Sequence, residues 1–194
     1  EGIASAFVEY GRQIGKASLQ AGVRYEHVAF DYYIKNIHRK DMSRTTDDLF
    51  PSLGLSFPIG KVQMQLGYAK DILRPSFSQL SGEVTYNNRY TYQTGNPLLL
   101  PMTTDNISLN AIYRWESLSV GYQHIKNKVF YQSIPYSEDN PSVVLFSYTN
   151  QPAYDFFFSF LTLSPKVGLW SPQLSGQFMK QWIELETHEG IVSA

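Results

Sequence analysis

The chain has 194 residues, a formal net charge of -1 at pH 7 and no cysteine. This charge balance gives no reason to expect nucleic acid binding, and the lack of cysteine excludes disulfides, thiolate metal sites and cysteine nucleophiles. Charged residues make up only 17% of the chain and aromatic residues 15%, whereas soluble domains carry about 25% charged residues. The composition therefore favours a strand-rich protein with little charged surface.

The first elements are long segments in which apolar and polar residues alternate. Residues 3–13 and 17–26 alternate in this way, and Gly15 and Lys16 between them predict a tight turn. Residues 17–26 are long for a strand of a soluble protein. One face of this segment carries Ala17, Leu19, Ala21, Val23 and Tyr25. From Asp31 the alternation fades into a polar loop that is expected to run to Asp48.

The middle of the chain repeats this design. Residues 51–57 and 62–69 alternate, with a short turn at residues 58–61. A second, longer loop is expected at residues 71–103.

The last third of the chain predicts four more strands. Residues 107–114 turn at residues 115–117 into a strand with Leu118, Val120 and Tyr122 on its apolar face. A third long loop is expected at residues 132–152, followed by a strand at residues 154–169 that alternates less cleanly. A turn at residues 170–172 leads to a final strand that carries Leu174, Phe178 and Trp182.

The order of short and long connections decides the fold class. About eight long strands, with short turns at one end and long loops at the other, are typical of transmembrane β-barrels. We predict an all-β, antiparallel, up-and-down transmembrane β-barrel segment whose apolar face contacts outer-membrane lipid. A soluble sandwich or barrel is the alternative, because its strands also alternate.

Two motifs in the second long loop carry a family resemblance. Residues 74–80 read Arg-Pro-Ser-Phe-Ser-Gln-Leu, and residues 95–101 read Gly-Asn-Pro-Leu-Leu-Leu-Pro. This pair resembles the Arg-Pro-Ser-Phe/Tyr and Gly-Asn-Pro-x-Leu-x-Pro elements of TonB-dependent outer-membrane receptors, most of all the receptor-type barrels common in Bacteroidetes. The chain departs from the pattern at Leu100 and Met102, where that family often has polar or charged residues. The motif residues are Arg74, Pro75, Ser76, Gly95, Asn96, Pro97 and Pro101.

The resemblance implies a function and partners. A full receptor carries a TonB box, a plug domain and a barrel of about 22 strands, so residues 1–194 would be one part of the barrel domain, a C-terminal fragment without plug or box. It would lie in the outer membrane of a Gram-negative bacterium and take up a scarce nutrient such as a siderophore, a cobalamin or a glycan. Implied partners are outer-membrane lipid, the plug domain, TonB and a surface lipoprotein, with no cofactor.

The candidate ligand-binding residues lie in the same loop. Tyrosines with amide and guanidinium neighbours offer the flat apolar faces and hydrogen-bond groups that sugars and aromatic chelates need. These candidates are Arg74, Tyr86, Asn88, Arg89, Tyr90, Tyr92 and Asn96. The alternative is that the rings pack against one another and hold the loop still. For the motif residues a structural role is favoured, because Pro ends a strand and Asn before Pro stays extended.

Other polar residues support weaker hypotheses. A group of cations could contact lipid phosphates or an anionic ligand, although such groups are usually solvated; it comprises Lys35, His38, Arg39, Lys40 and Arg44. The histidines show no metal-ligand spacing, and we expect no catalytic residue, no metal site and no enzyme. Arg24 and Glu26 are expected to pair with each other or with a plug. The alternative functions are a passive porin or structural barrel, a barrel hydrolase that uses Asp47 or His38, and a soluble β-module.

Overall fold

The computed structural model describes residues 2–137, 142–187 and 190–193 and confirms the all-β prediction, with eight long strands. None of the described helices is long and apolar enough to cross a membrane. The strands are β1 (Gly2–Ile14), β2 (Ala17–Phe30), β3 (Tyr33–Ile34), β4 (Ile37–His38), β5 (Arg44–Ile59), β6 (Val62–Leu73), β7 (Thr85–Asn88), β8 (Thr91–Gln93), β9 (Met102–Tyr113), β10 (Glu116–Pro135), β11 (Val144–Leu163), β12 (Leu174–Thr187) and β13 (Gly190–Ser193), and the short helix is α1 (Phe77–Leu80).

The eight long strands form one sheet in which consecutive strands are neighbours. Its order is β1-β2-β5-β6-β9-β10-β11-β12, with β13 beside β12. Strand β1 pairs antiparallel with β2, β2 with β5, and β5 with β6. This is the up-and-down topology that the alternating short and long connections predict.

The sheet has an apolar face and a polar face, because residues of like polarity pair across the strands. Leu19 lies opposite Leu55, whereas Gln20 lies opposite Gly54. The apolar face carries Leu19, Ala21, Val23 and Tyr25 of β2, Leu53 and Leu55 of β5, Leu66 and Tyr68 of β6, and Ile107 of β9. The polar face carries Ser18, Gln20, Gly22, Arg24 and Glu26 of β2 and Ser52, Gly54 and Ser56 of β5.

The apolar face is exposed, and few apolar side chains are buried. Among the described residues only six hydrophobic side chains are buried: Val28, Phe30, Phe50, Leu80, Leu99 and Ile125. Leu53 of β5 and Leu66 of β6 are 46% and 41% exposed instead. An apolar surface spread over consecutive strands is unusual on a soluble monomer and marks a surface that another apolar medium covers.

Three of the four connections at one end of the sheet are two-residue turns. Gly15 and Gly60 adopt φ angles of 60° and 61°, the left-handed conformation that glycine reaches without steric cost. The third turn lies at Arg114 and Trp115, with Arg114 at φ 53°, rather than at residues 115–117 as predicted. The last connection spans residues 164–173, where Val167 bridges Trp170, rather than the predicted residues 170–172.

The loops at the other end are shorter than predicted, because the strands extend further. The first loop was expected to run to Asp48, but β5 begins at Arg44; the second ends at β9, which begins at Met102 and not near residue 107. The predicted third loop at residues 132–152 is wrong, since β10 continues to Pro135 and β11 begins at Val144. Strand β11 also ends at Leu163, six residues before the predicted end.

The chain divides into two compact units. The first comprises Glu1–Asp71, Thr104–His124 and Asp155–Trp182, and the second Ile72–Thr103, Ile125–Tyr154 and Ile183–Ala194. The first unit contains the three two-residue turns and the connection at residues 164–173. The second contains the loop that bears the two family motifs, together with the parts of β10 and β11 that this loop contacts.

Candidate ligand-binding loop

The loop between β6 and β9 begins with a capped helix. Pro75 follows Arg74 just after β6 ends, and Ser76 is the N-cap of α1. The Ser76 hydroxyl accepts a hydrogen bond from the Gln79 backbone N–H at 3.4 Å, and the Gln79 side chain accepts one from the Ser76 N–H at 2.8 Å. This reciprocal capping box satisfies backbone donors that a helix N-terminus otherwise leaves unpaired. The Arg-Pro-Ser element therefore ends a strand and starts a helix.

The Gly-Asn-Pro element lies directly against that helix. A Cβ atom on Gly95 would lie 2.4 Å from the Ser81 carbonyl oxygen, 2.5 Å from that of Gln79 and 2.7 Å from that of Ser78. All three contacts are backbone atoms, so only glycine fits this position. The Asn96 N–H also donates to the Gln79 carbonyl oxygen at 2.6 Å. The two motifs form one structural feature, in which the second closes on the first.

Asn96 uses its side chain to fix the loop on strand β11. Its Nδ2 donates to the Tyr148 carbonyl oxygen at 3.0 Å, and its Oδ1 accepts from the Leu98 N–H at 3.0 Å. Both ends of the amide are therefore used within the protein. This arrangement supports the structural interpretation of Asn96 rather than a role in ligand binding.

Asn150 of β11 makes a second connection to the same loop. Its Oδ1 accepts from the Leu100 N–H at 2.7 Å, and its Nδ2 donates to the carbonyl oxygens of Leu100 and Asn127 at 3.1 and 2.7 Å. Leu99, between these anchored residues, is completely buried. The loop is thus a folded element with its own small core.

A short hairpin extends from the anchored base. Strands β7 and β8 pair antiparallel, and β8 also pairs parallel with the start of β11, from Thr91 opposite Val144 to Gln93 opposite Phe146. The backbone hydrogen bonds Val144 N–H to Tyr90 O and Thr94 N–H to Phe146 O continue this pairing. Strand β8 therefore has a backbone ladder on each side and attaches the hairpin to β11.

The hairpin brings several of the predicted candidates together. Tyr86 meets Tyr92 edge-to-face with ring centroids 5.6 Å apart, and Tyr92 stacks on Tyr136 at 4.8 Å. The Arg89 guanidinium lies over the Tyr90 ring at 5.7 Å, a cation–π geometry. Tyr86 and Tyr90 are 62% and 54% exposed. This cluster combines exposed aromatic faces with a cation.

The remaining candidates have mainly local roles. Asn88 accepts a hydrogen bond from the Tyr90 N–H at 2.9 Å and so shapes the hairpin turn. Arg74 lies at the base of the loop beside the capping residue. Tyr136, which lies 44 residues beyond Tyr92 in the chain, was not among the predicted candidates. The tyrosine-rich composition on both sides of this loop was the available signal.

Three members of the predicted group of cations, His38, Arg39 and Arg44, have contacts within the protein. Arg39 makes a bidentate contact with Asp41 at 3.0 and 2.7 Å, and His38 lies 3.2 Å from Asp31. The Arg44 guanidinium lies over the Phe30 ring at 5.4 Å, already within β5. The hydrogen bonds from Arg39 hold the pKa of Asp41 below its ordinary value. These contacts favour the solvated, structural alternative for this group.

The residues considered for catalysis also have structural partners. Asp47 lies in β5 and not in a loop, and it accepts hydrogen bonds from Tyr25 and His27 at 2.5 and 2.8 Å. The predicted pairing of Arg24 with Glu26 is confirmed, with Nε 3.1 Å from Oε1. Within the described residues no group of three His, Cys, Asp or Glu side chains could hold a metal ion.

Comparison with solved structures gives 22 matching chains. The chain is similar to the siderophore receptor PirA of Pseudomonas aeruginosa, with 16% identity and a TM-score of 0.68 over 96% of this chain and 37% of that one. It is also similar to a mutant of the ferric enterobactin receptor PfeA of Pseudomonas aeruginosa in complex with enterobactin, with 21% identity and a TM-score of 0.67 over 91% of this chain and 27% of that one. A third is the FrpB iron transporter of Neisseria meningitidis, with 14% identity and a TM-score of 0.65 over 99% and 28%.

These likenesses concern the fold, and the chain spans only about a quarter to two fifths of the length of these three proteins. No curated protein matches the sequence. The family model described as "Outer membrane protein beta-barrel family" matches residues 1–188. This match confirms the predicted outer-membrane location and contradicts the alternative of a soluble β-module. The chain belongs to the outer membrane protein beta-barrel family.

Proposed function

We propose that the chain forms part of the barrel wall of a TonB-dependent receptor that takes up a scarce nutrient, with a ferric siderophore as the first candidate and a cobalamin or glycan as the others. A plug domain of the parent protein would fill the lumen, and TonB would drive release of the ligand. A surface lipoprotein would be a further partner. The siderophore is placed first because the similar structures are named as siderophore receptors and an iron transporter.

The observation that carries the proposal is the folded state of the loop between β6 and β9. Its helix is capped, its Gly95 lies against the helix backbone, and its Asn96 is bound to β11. A barrel that only lets small solutes diffuse does not need a preorganised loop, whereas a receptor gains affinity when its binding surface is ordered before the ligand arrives.

The exposed aromatic cluster is the proposed ligand surface. Tyr86 and Tyr136, which both pack on the half-buried Tyr92, are exposed, and Arg89 adds a positive charge next to Tyr90. An anionic chelate with aromatic groups matches this set, since its rings can stack on tyrosine while its charge meets the guanidinium. A glycan would use the same rings but would gain little from the cation.

The polar face is the proposed contact surface for the plug. A concavity of about 270 Å³ in the first unit is lined in part by Glu9, Arg24 and Asp71. A second, of about 510 Å³, is lined by uncharged polar side chains that include Gln20, Gln65 and Asn110. Hydrogen-bonding groups of this kind suit a wet protein–protein contact.

The first experiment measures uptake by the complete parent protein in its membrane. Cells that express the parent gene would be given a radiolabelled ferric siderophore, cobalamin or oligosaccharide, with and without functional TonB. We expect uptake of one ligand class that disappears without TonB. Equal uptake in both strains would indicate a passive porin, and hydrolysis of a supplied ester or glycan would indicate a barrel enzyme.

A second experiment tests the ligand surface. In the parent protein, Tyr86→Ala and Arg89→Ala are each expected to weaken binding of the transported ligand about tenfold, as loss of an aromatic or arginine anchor does. Tyr33→Ala is the matched control, because Tyr33 is equally exposed, at 59%, but lies in the first loop. Unchanged binding in both test variants, with uptake still dependent on TonB, would move the site elsewhere in the receptor.

A further inference from the structure

A tyrosine–aspartate hydrogen bond recurs three times in the first unit. Tyr25 donates to Asp47 at 2.5 Å, Tyr68 to Asp105 at 2.8 Å and Tyr122 to Asp155 at 2.6 Å. Each time the tyrosine lies on a strand that leads into a loop at the end opposite the two-residue turns, and the aspartate lies on the strand that returns from that loop. Three occurrences on three strand pairs indicate a common physical cause.

These pairs lie on the apolar face, where carboxylates are unexpected. Tyr25 is in phase with Leu19 on β2, and Tyr68 is in phase with Leu66 on β6. Asp105 is likewise in phase with Ile107 on β9. In an outer-membrane protein this face contacts lipid, and an ionised carboxylate is costly in hydrocarbon. The pairs must therefore lie near the level of the lipid headgroups.

The position of the second pair along its strands agrees with this level. Tyr68 is the seventh residue of β6, and Asp105 is the ninth from the end of β9. At a rise of about 3.3 Å per residue and a tilt of about 40°, seven to nine residues cover roughly 18–23 Å of membrane depth. The apolar band of such barrels is about 25 Å tall, so this pair lies at its outer edge.

An apolar groove lies beside this pair. Its volume is about 250 Å³, and Tyr68 is its one polar-tipped lining residue. The other lining residues are Leu19, Leu53, Leu55, Leu66, Gly67 and Ile107. Leu53 lies directly opposite Tyr68, whereas Leu55, Leu66 and Leu19 lie closer to the two-residue turns. The groove therefore runs from the headgroup level into the hydrocarbon layer.

The pair above the groove differs from the other two. Asp47 and Asp155 each accept a second hydrogen bond from a histidine, His27 and His124 respectively. Within the described residues Asp105 accepts from Tyr68 alone. A carboxylate has acceptor sites for about four hydrogen bonds, so Asp105 can still accept a hydroxyl group of a ligand.

We propose that this groove binds one acyl chain of an outer-leaflet glycolipid, with Asp105 accepting a hydrogen bond from a hydroxyl of the sugar headgroup. The groove is continuous with the face that contacts membrane lipid, and its polar tip lies where the headgroup of an outer-leaflet lipid would be. The site is independent of the transported nutrient, because it lies on the opposite face of the sheet from the lumen.

The test is lipid retention by the parent protein in native mass spectrometry, with lipid A as the probe. Leu66→Trp fills the groove, and Leu118→Trp is its control, because both leucines lie on the apolar face and are 41% and 39% exposed. Excluding about two methylene groups from the groove is expected to lower lipid affinity about tenfold in the first variant only. Equal retention by the two variants would mean ordinary annular lipid and would overturn the proposal.

Tyr68→Phe and Asp105→Asn test the polar end without changing the groove volume. Asp105→Asn is expected to reduce retention of lipid A but not of phosphatidylcholine, whose headgroup has no hydroxyl. Tyr68→Phe leaves Asp105 without its partner and should reduce retention less. Equal loss of both lipids in Asp105→Asn would refute the headgroup contact. Nutrient uptake by the same variants should be unchanged, so this result is separate from that of the transport experiment.

Discussion

Gly95→Ala gives the most direct test of the structure of the candidate loop. The added Cβ would lie 2.4 to 2.7 Å from three backbone carbonyl oxygens of the α1 region. Backbone atoms cannot move aside as the end of a flexible side chain can. The φ angle of Gly95 is not in the left-handed region, so the cost of alanine is steric and not conformational.

The expected cost follows from two contributions. Overpacking of a tight site costs about 1–3 kcal/mol, and displacement of Asn96 would weaken its 2.6 Å hydrogen bond to the Gln79 carbonyl oxygen, worth about 1 kcal/mol. We expect the loop to lose about 2–4 kcal/mol of local stability, while the long strands keep theirs. Local opening would then increase about 30-fold or more.

Native-state hydrogen exchange on the parent protein measures this opening. The informative amides are those of Leu80, bonded to the Ser76 carbonyl oxygen, and Leu99, bonded to the Asn96 carbonyl oxygen. Gly11→Ala in β1 is the control, because its Cβ would meet nothing within 4 Å. If Gly95→Ala left the exchange of both amides unchanged, the close approach of the two motifs would be refuted.

Three further predictions concern neighbouring contacts. Ser76→Ala removes the capping box and should cost about 1 kcal/mol of local stability, seen as faster exchange of the Gln79 amide, while Ser76→Thr should retain most of it. Asn96→Ala breaks the bonds to Tyr148 and Leu98 and should cost about 1–3 kcal/mol, with increased proteolysis between residues 74 and 101 as the readout. The hydrogen bonds from Arg39 hold the pKa of Asp41 below its ordinary value, so their contact should persist at neutral pH and weaken only as the pH falls through that lowered pKa. The Met42 amide, bonded to the Arg39 carbonyl oxygen, should then lose protection relative to its intrinsic exchange rate at the same pH, and Arg39→Gln should remove this loss.

The long strands could be predicted from the sequence because contact with lipid requires a strict alternation of apolar residues. Where one face meets hydrocarbon, every second residue must be apolar, and the segments around residues 17–26 and 62–69 show this clearly. Beyond the membrane that requirement ends. Strand β10 nevertheless continues to Pro135, and β11 already begins at Val144. Backbone hydrogen bonds hold these strand ends, and such bonds leave no periodic pattern in the sequence. The third loop was therefore predicted far too long.

The structure of the loop between β6 and β9 could be predicted from the sequence only in part. The four-residue helix is too short for a 3.6-residue period, yet Ser76 and Gln79 have the spacing of a capping box, which was an available signal. The parallel pairing of Thr91–Gln93 with residues 144–146 joins segments about 50 residues apart, and nothing local predicts it. Tyr136 was missed for the same reason.

The physical role of the two motifs also explains why they occur together. The Arg-Pro-Ser element ends a strand and caps a helix, and the glycine of the second element is needed only because that helix's carbonyl oxygens lie against it. Without the helix, position 95 would not require glycine. Under the proposed function, ligand specificity would be set elsewhere, by residues such as Tyr86 and Arg89 on the exposed hairpin, because these can change without disturbing the anchored base. A chain of this family that keeps both motifs but lacks the tyrosines should have the same folded base and a different ligand.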